Sequence, residues 1–193
     1  MDALLKHLPE IALAAGLAWG SGLRLYATLF ALGIAGWLGW IDLPSHLGLL
    51  AHPLVLWASG FMALVEFGAD KLPWLDSAWD AVHTFIRIPA GAALAAAVFG
   101  DGAAALTAAI LGGTLAAGTH FAKAGGRALI NVSPEPFSNW TASFTEDAAV
   151  LGGLWLAILQ PAAFLAVLLL AAGLVLLLFA FVRNRLRTAR GGT

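Results

Sequence analysis

Between Ala162 and Val182 the chain runs for 21 residues without one charged side chain. At about 1.5 Å of rise per residue, a helix of that length spans a hydrocarbon core of about 30 Å. The rest of the sequence agrees with a bilayer setting. It is 61% hydrophobic and 11% charged, where a soluble domain carries about 25% charged residues. Disorder is excluded on the same ground, because a chain stays unfolded through low hydrophobicity and high charge. The class that remains is an all-α, polytopic transmembrane helix bundle. There is no cysteine, so disulfides, thiolate metal sites and cysteine nucleophiles are all excluded.

Six spans are expected. After Ile11–Trp40 come Pro53–Gly68, Trp79–Phe99, Ala103–Ala122, about Thr141–Leu159 and Ala162–Val182. Gly100-Asp101-Gly102 reads as a tight turn, and Gln160-Pro161 separates the last two spans. Ile11–Trp40 is too long for one simple crossing and contains Gly20-Ser21-Gly22 just before Arg24. It is either one long tilted helix or a helix broken at mid-membrane. Pairs of small residues four apart, Gly91 with Ala95 and Gly112 with Ala116, suit close helix approach.

Basic residues decide the expected orientation, since cytoplasmic loops collect Lys and Arg. With six spans, Lys6, Lys71, Lys123, Arg127, Arg183, Arg185, Arg187 and Arg190 share one side, eight of the ten basic residues. That places both termini in the cytoplasm, with residues 183–193 as a basic tail after a single domain over 1–182. Trp37, Trp40 and Trp57 fit as outer anchors, and Trp74, Trp79 and Trp140 as inner ones.

The remaining ionisable residues concentrate toward that same side. Glu66 and Asp70 are four apart near the end of the second span. Asp76, Asp80, His83 and Arg87 form one helical stripe at the entry to the third. His120, Lys123 and Arg127 repeat the pattern where the fourth span ends, Glu146 and Asp147 open the fifth, and Arg24 reaches similar depth from the first. Between the fourth and fifth spans, Asn131 to Trp140 reads as a polar loop over the cluster, with Asn131, Glu135 and Asn139 as candidate contacts. Charges inside spans are costly and usually pair or line a cavity, so each is a candidate for binding or coupling. The plainer reading makes them helix caps, interfacial anchors and structural ion pairs.

The stretches Ser21–Tyr26 (SGLRLY), Val65–Lys71 (VEFGADK), Trp79–Arg87 (WDAVHTFIR), His120–Arg127 (HFAKAGGR) and Asn131–Trp140 (NVSPEPFSNW), followed by Glu146-Asp147, resemble a family of small bacterial integral-membrane proteins. That family is catalogued only as a domain of unknown function. The resemblance covers roughly positions 10 to 180 and implies a multi-span inner-membrane protein without an assigned activity.

From the residues themselves, the expected function is a transporter or channel for a small polar or anionic solute, a lipid phosphate included. Arg24, Arg87, Lys123 and Arg127 would supply positive charge, and Glu66, Asp80, His83 and His120 would carry protons. A membrane enzyme acting on a lipid-borne substrate is the alternative, though no nucleophile elbow or zinc helix is present. The third reading is a scaffold, with a homo-oligomer allowed by the small-residue faces. No cofactor and no metal are expected. Glu66, Asp70, Asp80 and His83 are weak candidates for a divalent ion, opposed by Arg87 and Lys123. Partners are the bilayer and a small ligand; nucleic acid is not expected, because the basic residues follow topology.

Overall fold

A computed structural model describes residues 6–132 and 137–190. They form six long helices, α1 (Leu8–Trp37), α2 (Pro53–Ala69), α3 (Pro73–Phe99), α4 (Ala103–Ile130), α5 (Phe137–Leu159) and α6 (Pro161–Arg190). A 3-10 segment, Ser45–Ala51, precedes α2. No strand occurs among the described residues. Five of the helices are long and apolar enough to cross a membrane alone. α2 passes the same test only together with the 3-10 segment, from which it is bent by 68°, a geometry shared by broken spans and re-entrant loops. The chain is therefore a multi-pass membrane bundle.

Four boundaries differ from those expected by four residues or more. α3 starts at Pro73 rather than near Trp79, and α4 runs to Ile130 rather than ending at Ala122. α5 starts at Phe137 rather than Thr141, and α6 continues to Arg190 as one helix rather than ending at Val182. Hydropathy marks the length of helix that faces lipid, whereas in α3, α4 and α5 the polar turns beyond it stay helical because their side chains are buried within the bundle. Asp76, Lys123, Arg127 and Asn139 are all buried. The expected loop shrinks accordingly: Phe137 to Trp140 is the first turn of α5, and Glu135 lies outside the described residues.

α1 is the hub, packed against each of the other five helices. It is broken at Arg24, whose φ of -145° and ψ of 78° are not helical. A β-carbon on Gly20 would stand 2.6 Å from Thr28 Oγ1, although residues eight apart in a continuous helix are about 12 Å apart along its axis. Non-helical backbone at membrane depth persists only where protein supplies its hydrogen bonds. Here Thr28 Oγ1 donates to the Arg24 carbonyl at 2.8 Å, and Lys123 Nζ donates to the Leu23 carbonyl at 3.2 Å. Of the two forms allowed by the sequence, the broken helix is the one adopted.

Small residues let α1, α3 and α4 approach closely, as their spacing suggested. A β-carbon on Gly91 would lie 2.5 Å from Ala116 Cβ, and one on Gly22 would lie 2.5 Å from the Ala116 carbonyl oxygen. One on Gly112 would overlap Ala95 Cβ. The Gly100-Asp101-Gly102 turn has φ of 76° and 89° at its two glycines, a backbone that side chains rarely adopt. Trp37, Trp40, Trp57, Trp74 and Trp140 are exposed, but Trp79 is half-buried and stacks on His83 with ring centroids 4.1 Å apart. It therefore serves the interior more than the interface.

Gly112→Ala is expected to destabilise the bundle by about 1–3 kcal/mol, the usual cost of overpacking. Gly118→Ala, at a position with nothing within 4 Å of the added carbon, should leave stability unchanged or slightly raised. Thermal melting of the detergent-purified proteins checks the pair, and equal behaviour would contradict the close α3–α4 contact.

Candidate functional site

Ionisable side chains from α1 to α5 meet in one buried network. The break in α1 turns Arg24 inward, and its guanidinium gathers carboxylates from two helices. Nη1 lies 2.5 Å from Asp70 Oδ2, Nη2 lies 3.4 Å from Glu146 Oε2, and Nε lies 3.1 Å from Asp147 Oδ1. Nη2 also donates to Ser143, to Oγ at 2.8 Å and to its carbonyl at 3.0 Å. Arg127 reaches the same acids from α4, with Nη2 3.1 Å from Asp70 Oδ2 and Nε 2.8 Å from Glu146 Oε1. Its Nη1 donates to both the carbonyl and Oδ1 of Asn139. Lys123, between the two arginines, stands 3.4 Å from Asp70, 3.5 Å from Asp80 and 3.5 Å from Glu146.

Asp80 links this group to a second one centred on Arg87. Arg87 Nη1 donates to Asp80 Oδ1 at 2.7 Å, and Nη2 makes a short, direct pair with Glu66 Oε1. The Arg87 carbonyl accepts from Ser21 Oγ at 2.8 Å, tying α3 to the segment of α1 before the break. Arg87 Nη1 also faces His120 Nδ1 at 3.2 Å. A guanidinium can only donate, so Nδ1 accepts and the ring proton sits on Nε2. Nε2 then donates to Thr84 Oγ1 at 2.7 Å, and that hydroxyl donates to the Asp80 carbonyl at 2.9 Å. His83 Nδ1 donates to the Trp79 carbonyl at 2.8 Å, leaving Nε2 to accept from the Tyr26 hydroxyl at 3.2 Å.

Asp76 and Asn131 form the rim. Asn131 Nδ2 donates to Asp76 Oδ2 at 2.9 Å, joining the end of α4 to the start of α3. Lys71, in the turn between α2 and α3, donates to the Phe67 carbonyl at 2.8 Å and lies over the Phe67 ring. Desolvation pulls its ammonium below the usual lysine range, opposed by the Asp147 carboxylate.

The network takes in every site residue singled out from sequence except three: His83 bonds the Trp79 carbonyl and Tyr26 beside it, Asn131 holds Asp76 at its rim, and Glu135 lies outside the described residues. Sequence reasoning missed Ser143 and Thr84 and gave Ser21 and Tyr26 no role beyond their motif. Ser and Thr on helices are too common to signal a contact that depends on a distant helix. The weak metal set is not assembled. Glu66 and Asp80 both hold Arg87, Asp70 holds Arg24 and Arg127, and His83 faces Tyr26. Among the described residues no group of three or more His, Asp or Glu side chains is placed to hold a metal ion.

Arg24, Arg87, Glu66 and Asp70 are at most 1% exposed, whereas the Glu146 and Asp147 side chains are 15% and 27% exposed, so the network is closed at its centre and open at that edge. Beside it runs a groove of about 1160 Å³, lined by α1, α2 and α5 and almost entirely apolar in its residues. Asp147 is the network member that lines it.

The chain belongs to the family described as "Domain of unknown function (DUF4126)", whose model matches residues 11–183. No curated protein matches it, and no solved structure does.

Removing one partner of a buried pair strands the other charge and costs about 3–5 kcal/mol, whereas replacing the whole set with neutral groups is often tolerated. Arg87→Met should therefore unfold or severely destabilise the protein. The triple variant Arg87→Met, Glu66→Gln, Asp80→Asn should recover most of the loss in a thermal melt. A triple variant no better than the single one would contradict the pairing.

Proposed function

We propose that this member of a family without an assigned activity is a carrier for a small polar solute, with the buried ion network as its closed gate. Protons or the solute open the gate by changing which carboxylate each cation holds. The observation that supports this most is sharing. Asp70 Oδ2 lies within 3.4 Å of Arg24, Lys123 and Arg127, and Glu146 stands within 3.5 Å of the same three cations. A permanent brace needs one partner per charge. Shared partners offer several arrangements of similar energy, which is what a two-state element requires.

Charge count adds to the reading. Five carboxylates, on Glu66, Asp70, Asp80, Glu146 and Asp147, pair with Arg24, Arg87, Lys123 and Arg127, while Asp76 sits at the rim on Asn131 and Lys71 adds a positive charge at the Asp147 end. Carboxylates in excess of cations favour the uptake of protons or of a positively charged group. An anionic solute has less support, because each of the four cations already holds at least two carboxylates. The orientation that fits is the one with both termini in the cytoplasm of a bacterial inner membrane, since Lys71, Arg127 and the Arg183–Arg187 turn then share the cytoplasmic side. Complete burial of Arg24 and Arg87 favours a second reading, a static scaffold whose network never opens.

Because the chain contains no cysteine, single thiols report opening cleanly. Ser21→Cys and Ser143→Cys replace residues with 0% exposure. A water-soluble maleimide present on both sides of the vesicle membrane should label both, at about 1% of the rate of exposed Ser45→Cys, as a minor open state gives. Correctly folded protein that stays unlabelled would establish the scaffold and end the carrier reading.

A further inference from the structure

α2 and α5 both lean on α1 and leave the 1160 Å³ groove between them. Its walls include Phe61 and Leu64 on α2 and Leu151 on α5, with Trp57 and Trp155 toward one end. At the other end Phe67 packs edge-on against Phe144, ring centroids 5.5 Å apart, and Asp147 faces the space. From Trp57 to Phe67 the wall extends about 15 Å by helix rise, the reach of an alkyl chain rather than of a headgroup.

An apolar groove inside a bilayer selects nothing by itself, because lipid tails are as apolar as its walls. Selection comes from the one carboxylate at its end. The Asp147 side chain is 27% exposed, against 1% for the Arg24 to which it turns one oxygen. Arg24 is divided among Asp70, Glu146 and Asp147, and the network behind it holds more carboxylates than cations. Lys71, the cation at the same end, is engaged with the Phe67 ring and carbonyl. A positive, hydrogen-bond-donating head is the complement that this end lacks.

We propose that the groove binds a membrane-borne long-chain amine from the side, its alkyl chain along α2 and α5 and its ammonium on Asp147. Such a ligand reaches the network without passing through water. The proposal widens the carrier's solute from a small polar molecule to a lipid-borne one with a polar, cationic head, and rests on that reading only for what happens after binding. Binding itself is an equilibrium property of the groove.

The test uses the full chain in phosphatidylcholine nanodiscs, with tryptophan fluorescence quenched by a primary alkylamine brominated at mid-chain. The fatty alcohol and fatty acid with the same bromination serve as comparators. Saturable quenching by the amine is expected at about one tenth of the alcohol concentration, roughly 1.4 kcal/mol of preference. Asp147→Asn should abolish that preference, and Ala63→Phe, which fills the groove wall away from the network, should weaken quenching by all three probes. Equal quenching by amine and alcohol in the unaltered protein would overturn the proposal, as would an amine preference that survives Asp147→Asn. Insensitivity to Ala63→Phe would overturn it too. Should Asp147→Asn fail to fold, the probe comparison and Ala63→Phe still decide. Amine binding without any labelling of Ser21→Cys or Ser143→Cys would refute the carrier alone, and labelling without amine preference would refute the groove alone.

Discussion

A guanidinium removed from water inside a bilayer has to be met by carboxylates, or the chain does not fold with it there. Arg24 and Arg87 are both essentially unexposed, and this one requirement organises most of the molecule. Arg24 binds α1 to α2 and α5 through Asp70, Glu146 and Asp147, while Arg87 binds α3 to α2 through Glu66. Helix contacts that lipid-like surfaces would leave indifferent become specific, because a wrong pairing would leave a charge stranded. Gly22, Gly91 and Gly112 allow the backbones to come close enough for these side chains to meet.

The break in α1 belongs to the same arrangement. A continuous helix would carry Arg24 past the acids and leave no carbonyl for Lys123, whereas the opened turn presents the Leu23 carbonyl to Lys123 and the Arg24 carbonyl to Thr28. Backbone irregularity and buried charge thus compensate each other, each supplying a partner that the other lacks. Shared carboxylates make the result unlike a set of isolated pairs. Asp70 serves three cations through one oxygen, so loss of any one of them shifts the other two, and the network responds as a unit.

Outside the network the bundle is far less determined. α6 touches only α1 and α5 in quantity, and its apolar face is turned outward along most of its length. The groove between α2 and α5 has the same apolar character, but it differs in ending on a charge. Asp147 is where the apolar groove and the interior network meet, since it lines the one and pairs with Arg24 in the other.

Much of this was legible in the residues. An uncharged run of 21 residues and the low charge content require a membrane bundle, because water cannot solvate that surface and lipid can. Helical spacing places Glu66 with Asp70, and Asp80 with His83 and Arg87, on common faces, because 3.6 residues per turn acts locally. Glu66, His83, Arg87 and His120 are recognisable as unusual wherever a charged or titratable group falls inside an apolar span. Ends of helices were less legible: Asp76 and Arg127 look like interfacial residues until their partners are known. What only the tertiary structure decided is who meets whom. That Arg24 takes Asp70 rather than Glu66, that Ser143 and Thr84 belong to the site, and that Asp147 opens sideways are set by how five helices pack. Hydrogen bonds between helices depend on distances of a few ångströms that no local pattern in the chain encodes.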